Sequence, residues 1–321
     1  MNRRALLVAA LLSPLVCKAQ ESRRYRIGFL TSASPDAYRP SLEALLAALA
    51  ELGYREGRNM TLDQRWSDKR PLLGKHAGEL AAMPVDVIIT WGTPATAVAQ
   101  RATRRIPIVM ANTADPLGSK FVETLARPGG NITGISSIST DLSGKVLSLL
   151  KEVLPAAKRV GVLRNPGNPV TLQHLGSAQR AAKKLDLELH VVEVPSDGNL
   201  AEAFAALKAA RVDGAIALAD PEFVSRRQQL ATLAIQHRLP VAFQRSENVE
   251  AGGLISYSAD LREQFRLAAD FVHRILKGSA PGELPVVQPT KVLLVANLKT
   301  AAALGISLPR SVLLRADRVI E

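Results

Sequence analysis

Short apolar runs alternate with amphipathic, helix-compatible segments along most of the chain, and this alternation constrains the fold most strongly. Repeated β-α-β units build a parallel sheet with right-handed crossovers. One series runs from a strand at 25–30 to a strand at 106–111, and a second begins with a strand at 159–163. A crossover at 132–139 separates them. The pattern predicts an α/β chain with two Rossmann-like lobes, as suits 321 residues.

Small and polar residues follow several of the predicted strands. Ligands of open α/β sheets bind in the crevice at the carboxyl ends of the strands. In the first half these positions are Thr31, Ser32, Ser34, Trp91, Gly92, Thr93, Asn112 and Asp115. In the second half they are Asn165, Asp220, Gln244 and Tyr257. These residues are the predicted ligand-binding set, on two rims that face each other across a cleft and close by hinge motion.

Four of these residues also have an ordinary structural explanation. Thr93 precedes Pro94 at a predicted helix start, so it receives an anionic oxygen, caps the helix or does both. Asn112 and Asp115 either accept a hydroxyl or ammonium group of a ligand or order the turn before a proline. Trp91 either stacks on a planar ligand or packs at the lobe interface.

The segment that follows Asp115 predicts a short helix. Its apolar residues Phe121, Val122 and Leu125 have helix-compatible spacing, and the sequence at 127–131 is a stop and turn signal.

Residues 1–19 form a predicted signal peptide. Arg3 and Arg4 supply a basic start, and residues 5–16 are apolar but too few to span a bilayer. Cleavage before Gln20 predicts an exported, periplasmic protein. The alternative is a lipoprotein acylated at Cys17.

Cysteine and charge exclude several classes of function. Cys17 is the only cysteine, so the chain without its leader has no disulfide, thiolate metal site or cysteine nucleophile. The five histidines have no metal-ligand spacing, and no catalytic or cofactor motif is present. The net charge is +12, but the basic residues are scattered over predicted helices without an aromatic cluster. We therefore expect no metal, cofactor, catalytic activity or nucleic-acid partner.

Several longer motifs resemble those of one family. They are RIGFL at 26–30, ELGYREGRN at 51–59, DPLG at 115–118, ARPGGNITG at 126–134, GGLISY at 252–257, QPTK at 288–291 and NLKTA at 297–301. The chain resembles ABC-transporter substrate-binding proteins, in the branch that includes tryptophan- and tyrosine-binding components. Trp91 stands where many such proteins have a small residue.

The resemblance implies a fold and a function. The fold is periplasmic-binding-protein type I, with two lobes joined by crossover strands. One lobe is expected at 20–137 plus 253–278, and the other at 138–252 plus 279–321. The implied function is capture of a small molecule, such as an aromatic amino acid or a related carboxylate, by a monomer that delivers it to a permease in the inner membrane. The alternatives are a ligand-sensing domain of a signalling system and an exported enzyme that uses the same cleft.

Overall fold

The computed structural model describes residues 23–67, 70–137 and 139–321. The predicted signal peptide at 1–19 lies outside the described residues. Within the described residues, strands and helices alternate in two successive blocks, which confirms the predicted α/β class.

The first block forms a parallel sheet of five strands. Its elements are β1 (Tyr25–Thr31), α1 (Pro35–Glu51), β2 (Met60–Trp66), α2 (Arg70–Ala82), β3 (Val87–Trp91), α3 (Thr93–Ala102), β4 (Ile108–Ala114) and β5 (Ile132–Ser137). The strand order is β2-β1-β3-β4-β5, and every neighbouring pair is parallel. β3 and β4 are buried along their whole length, as strands with helices on both faces must be.

The second block builds a sheet of seven strands. It begins with α4 (Ser139–Val153), β6 (Arg159–Arg164), α5 (Thr171–Leu185), β7 (Glu188–Glu193), α6 (Leu200–Ala209), β8 (Gly214–Ala217), α7 (Pro221–Ser225) and α8 (Arg227–Gln236). It continues with β9 (Val241–Phe243), α9 (Ser246–Glu250), β10 (Ile255–Ala259), α10 (Leu261–Leu276), β11 (Val292–Asn297), α11 (Leu298–Leu304), α12 (Arg310–Arg315) and β12 (Arg318–Ile320). The strand order is β12-β11-β10-β9-β8-β6-β7. β10 and β11 are antiparallel, so this sheet is mostly rather than wholly parallel.

The chain returns to the first lobe after β10. α10 contacts α1, β4 and β5, and buries Leu261 and Phe265 in the core of the first lobe. Farther along, the amide of Val287 donates to the carbonyl of Gly134 in β5. The expected boundary placed 253–278 together in the first lobe, whereas β10 pairs with β9 and β11 of the second sheet. The chain therefore belongs to the first lobe from α10 as far as Val287.

The segment predicted to be helical after Asp115 is a series of turns, so that prediction was wrong. Asp115 and Lys120 adopt positive φ angles of 42° and 57°, which an α-helix does not admit. Phe121 and Val122 are nonetheless buried against the first sheet. The apolar spacing therefore reflects the burial of these side chains rather than helical structure.

Three other elements were not predicted from the sequence, namely α9 and, at the end of the chain, α12 and β12. Among the described residues, no helix combines the length and the apolar character needed to cross a membrane.

Gly134 gives a direct test of how β4 and β5 pack together. Its φ angle is +124°, and a Cβ atom there would lie 2.3 Å from the carbonyl oxygen of Met110. We predict that Gly134→Ala lowers the free energy of unfolding by about 2–3 kcal/mol, since it adds backbone strain to a steric clash. Urea unfolding measures the loss.

The matched control is Gly130→Ala, because a Cβ atom at Gly130 would meet nothing within 4 Å. We expect this variant to unfold within about 0.5 kcal/mol of the wild type. Equal stability of the two variants would contradict the packing described for β5.

Candidate functional site

The carboxyl ends of strands from both sheets enclose one cavity between the lobes. The first lobe contributes Trp91, Gly92, Thr93 and Asn112. The second lobe contributes Asn168, His174, Asp220 and Arg245. Asn112 and Asp220, predicted on opposite rims of the cleft, therefore line the same cavity.

Irregular strand pairing shapes the first rim. The register between β3 and β4 shifts after Thr90, so Trp91 pairs with Asn112. Bulges of this kind redirect side chains and are common beside functional sites. β4 also continues to Ala114, so Asn112 lies inside the strand and not just beyond it, as the sequence had suggested. The Thr93 hydroxyl donates to the carbonyl of Ala114 over 3.3 Å, which ties the start of α3 to the end of β4.

Trp91 both packs and lines the cavity. Its ring lies against Tyr38, with the ring centroids 3.8 Å apart, and its side chain is 1% exposed. Burial raises the pKa of the Tyr38 hydroxyl well above its usual value, so this aromatic pair is neutral. Trp91 is therefore held at the first rim of the cavity by its contact with a neutral tyrosine.

Asp220 organises the second rim. One carboxylate oxygen accepts from the side-chain amide of Asn165 at 3.2 Å, and the other accepts from the amide of Asn168 at 2.8 Å. The backbone amide of Glu222 also donates to Asp220 at 2.9 Å, so Asp220 is the N-cap of α7. These bonds compensate the buried negative charge.

The loop after β6 is rigidly held, and this fixes Asn168. The hydroxyl of Thr171, at the start of α5, lies 2.9 Å from the carbonyl oxygen of Asn165 and 2.7 Å from that of Asn168. The guanidinium of Arg164 donates to the same hydroxyl and also pairs with Glu193. The loop therefore presents the Asn168 side chain to the cavity in one orientation.

Gln244 lies behind the cavity and supports His174. Its side-chain nitrogen donates to the Ser143 hydroxyl at 3.0 Å, and that hydroxyl lies 2.8 Å from Nδ1 of His174. Complete burial, with the nearby positive charge of Arg245 as a second cause, lowers the pKa of His174 from 6.5 to about 3. His174 is therefore a neutral imidazole near neutral pH. No group of three His, Cys, Asp or Glu side chains within 23–67, 70–137 and 139–321 is placed to hold a metal ion.

Two hydrogen bonds join the lobes across the cleft. Arg245 of the second lobe donates to the side-chain oxygen of Asn112 in the first lobe at 3.1 Å. At the edge of the cleft, the amide of Ser34 donates to the hydroxyl of Ser225 at 3.0 Å. The cavity measures about 20 Å³, which is room for about one water molecule. In this arrangement of the lobes it therefore has no room for a larger molecule.

Three buried polar atoms around this cavity have no hydrogen-bond partner among the described residues. They are Nε1 of Trp91, Oδ1 of Asn168 and Nε2 of His174. Their residues are 1%, 2% and 0% exposed. Unpaired buried polar atoms are uncommon and destabilising, because each loses its bonds to water. Their convergence on one cavity from both lobes indicates a site built to bind a polar molecule.

The other residues of the predicted set lie outside the cavity. Asn165 and Gln244 are buried behind it. Thr31 and Ser32 are buried at the end of β1, and Ser34 lies at the edge of the cleft. Asp115 accepts from the amide of Gly118 at 2.8 Å and lines a separate surface groove, so it orders its turn. Tyr257 packs against the core of the second lobe.

The sequence reasoning did not select Arg245, His174 or Asn168. Arg245 directly follows Gln244 at the end of β9, and an arginine there resembles an ordinary solvent-exposed side chain. Asn168 lies in the same polar loop as Asn165, so the strand-end rule could have found it. His174 lies within the first turn of α5, and no local pattern distinguishes it from other core histidines.

The buried imidazole makes stability depend on pH. The unfolded chain binds a proton at His174 near pH 6.5, whereas the folded protein does so only near pH 3. The contribution of the neutral imidazole is therefore complete above pH 6.5 and is lost as the pH falls towards 3. We predict that the wild type loses about 2 kcal/mol more unfolding free energy than His174→Gln between roughly pH 7 and pH 5.

Urea unfolding at the two pH values measures this difference. His190→Gln is the control, since His190 is exposed, and we expect it to keep the wild-type pH dependence. The burial described for His174 would be contradicted if His174→Gln and the wild type lost the same stability on acidification.

Comparison with known proteins finds relatives that match most of this chain. A tyrosine-binding protein from Clostridioides difficile (strain R20291) is 25% identical over 289 residues, covering 89% of this chain and 83% of the relative. The L-Trp complex of an ABC domain from Streptococcus pneumonia superposes with a TM-score of 0.86 at 26% identity, covering 92% of this chain and all of that one. A conserved domain protein from Vibrio cholerae O1 biovar El Tor has a TM-score of 0.87 at 29% identity, with the same coverage.

These likenesses agree with the fold inferred from the two sheets, which is that of type I periplasmic binding proteins. The family model for ABC transporter substrate binding proteins matches residues 26–320, which is nearly the whole of the described chain. The chain therefore belongs to the family of ABC transporter substrate-binding proteins.

Proposed function

We propose that the protein is the extracytoplasmic receptor of an ABC importer. It captures a small polar molecule between its lobes and delivers it to a permease in the inner membrane. The proposed solute is an aromatic amino acid or a related carboxylate. In this proposal the predicted leader at 1–19 exports the chain to the periplasm, where it acts as a monomer and without chemistry of its own.

The observation that carries this proposal is the set of unpartnered buried atoms at the cavity. Trp91 Nε1 lies on the first lobe, whereas Asn168 Oδ1 and His174 Nε2 lie on the second. A solute that pairs with both sides contacts all three atoms only when the lobes close. Such differential contacts favour the closed form, which is how a ligand shifts a two-state equilibrium.

The related proteins support the class of solute. One is named a tyrosine-binding protein, and another was solved in complex with L-Trp. An amino acid carries both hydrogen-bond donors and acceptors on a compact frame. The cavity offers the indole N–H group as a donor and the Asn168 oxygen as an acceptor, so it can satisfy groups of both kinds.

A thermal-shift screen tests the proposal. The purified chain without residues 1–19 is heated with amino acids, small carboxylates and sugars in turn. A solute at about 100 times its Kd adds about 2.7 kcal/mol to the free energy of unfolding, so we expect a clear rise in midpoint for at least one member of the set. The proposal fails if no member of any class shifts the midpoint.

Trp91→Phe tests whether the cavity is the binding site. Phenylalanine keeps an aromatic ring against Tyr38 but has no N–H group. We predict about fivefold weaker binding of the solute found in the screen, since one neutral hydrogen bond is lost. Isothermal titration calorimetry measures the change.

The matched control is Trp66→Phe at the end of β2. The indole nitrogen of Trp66 donates to Gln64 at 3.0 Å, away from the cavity. We expect this variant to bind as the wild type does. If both variants bind with wild-type affinity, the solute binds elsewhere.

A further inference from the structure

We propose that Arg245 binds a carboxylate of the solute, and that this carboxylate replaces the side-chain oxygen of Asn112 as the partner of the guanidinium. The inference rests on the proposed function and assigns the residue that makes the site select anionic solutes.

Arg245 is a buried cation that makes few direct hydrogen bonds. It follows β9 and is 7% exposed. Its guanidinium has five N–H donors, yet among the described residues the only side-chain hydrogen bond it makes is to Oδ1 of Asn112. Glu247, two residues farther along the chain, interacts with this charge electrostatically. Unpaired donors on a buried guanidinium are costly, so an anion supplied by the solute would stabilise Arg245 by accepting from them.

The other charged side chain at the cavity does not fill this role. The carboxylate of Asp220 accepts from Asn165, Asn168 and the backbone of Glu222. These bonds stabilise Asp220 within the second lobe. The guanidinium of Arg245, in contrast, makes its side-chain hydrogen bond across the cleft, to Asn112.

Asn112 is placed to be exchanged for a ligand group. Its side-chain nitrogen donates to Gln264 of α10, so Asn112 is fixed within the first lobe and points its oxygen at Arg245. Because the two residues lie on different lobes, separation of the lobes breaks their bond. A carboxylate that enters the open cleft then competes with a neutral amide oxygen for Arg245, and charge-assisted bonds are about twice as strong as neutral ones.

The first turn of α3 favours the same kind of ligand. Gly92 and Thr93 line the cavity at the start of this helix of ten residues. The partial positive charge at a helix N-terminus adds to the attraction of Arg245 for an anion. The two features lie on opposite lobes, so a carboxylate between them contacts both.

Matched pairs of probes test the inference. Calorimetry compares the affinity for L-tryptophan with that for L-tryptophanamide, and the affinity for L-tyrosine with that for L-tyrosinamide. The solute found in the thermal-shift screen is compared with its amide or ester in the same way. We expect the wild type to bind the carboxylate at least about tenfold more tightly than its amide. Arg245→Gln should weaken carboxylate binding about 30-fold, change amide binding less than about threefold and remove most of the discrimination.

The matched control is Arg226→Gln, which makes the same substitution at a partly buried arginine of the second lobe. Arg226 donates to the carbonyl of Gly198 and does not line the cavity. We expect this variant to keep the preference of the wild type for the carboxylate.

Asn112→Asp gives a second test that does not remove the arginine. It places a carboxylate opposite Arg245 within the protein itself. We expect a higher thermal midpoint without solute and at least about tenfold weaker binding of the carboxylate probes, because the new ion pair competes with them.

The outcomes separate the two proposals. If a solute binds but the wild type does not prefer its carboxylate form, or the preference survives in Arg245→Gln, the role of Arg245 is refuted and solute capture stands. If only neutral sugars bind, the role of Arg245 is refuted as well. If no probe of any class binds, the proposed function fails and the role of Arg245 fails with it.

Discussion

The two lobes bury polar side chains against each other. The rest of the structure depends on which partners satisfy the hydrogen bonds and charges of those side chains. Asp220 accepts hydrogen bonds from side-chain amides of its own lobe. Arg245 reaches across the cleft to Asn112. Trp91, Asn168 and His174 keep one polar atom each without a partner among the described residues. Such an interface leaves buried polar atoms unpaired, which is costly, and in the proposed function a small polar molecule supplies their partners.

The sheets explain why these side chains meet. Parallel strands collect their carboxyl ends at one edge, and each lobe turns that edge towards the other. The bulge after Thr90 brings Trp91 opposite Asn112, and α10 returns from the second sheet to hold Asn112 through Gln264. The rigid parts of the site thus belong to separate lobes.

Sequence patterns predicted the elements that repeat and missed those that depend on tertiary contacts. Buried strands such as Val87–Trp91 are visible as apolar runs, and their ends located Trp91, Asn112 and Asp220. The turns after Asp115 were mistaken for a helix, because burial of Phe121 gives the same spacing. Arg245 and His174 could not be recognised from the sequence. Arg245 is distinguished by its burial beside the other lobe, and His174 by its burial beneath a polar network. Asp115 and Asn112 share the same sequence context, and only the fold separates a turn former from a cavity side chain.

The most direct test of the account is the distance between the lobes with and without solute. Cys17, in the predicted leader, is the only cysteine, so spin labels can be placed at Arg101→Cys on α3 and Leu172→Cys on α5, both exposed. Double electron–electron resonance then measures the distance between them. We predict a distribution that extends to longer distances without solute and collapses to its short end when a solute binds. A bound solute that leaves the distribution unchanged would contradict capture by closure.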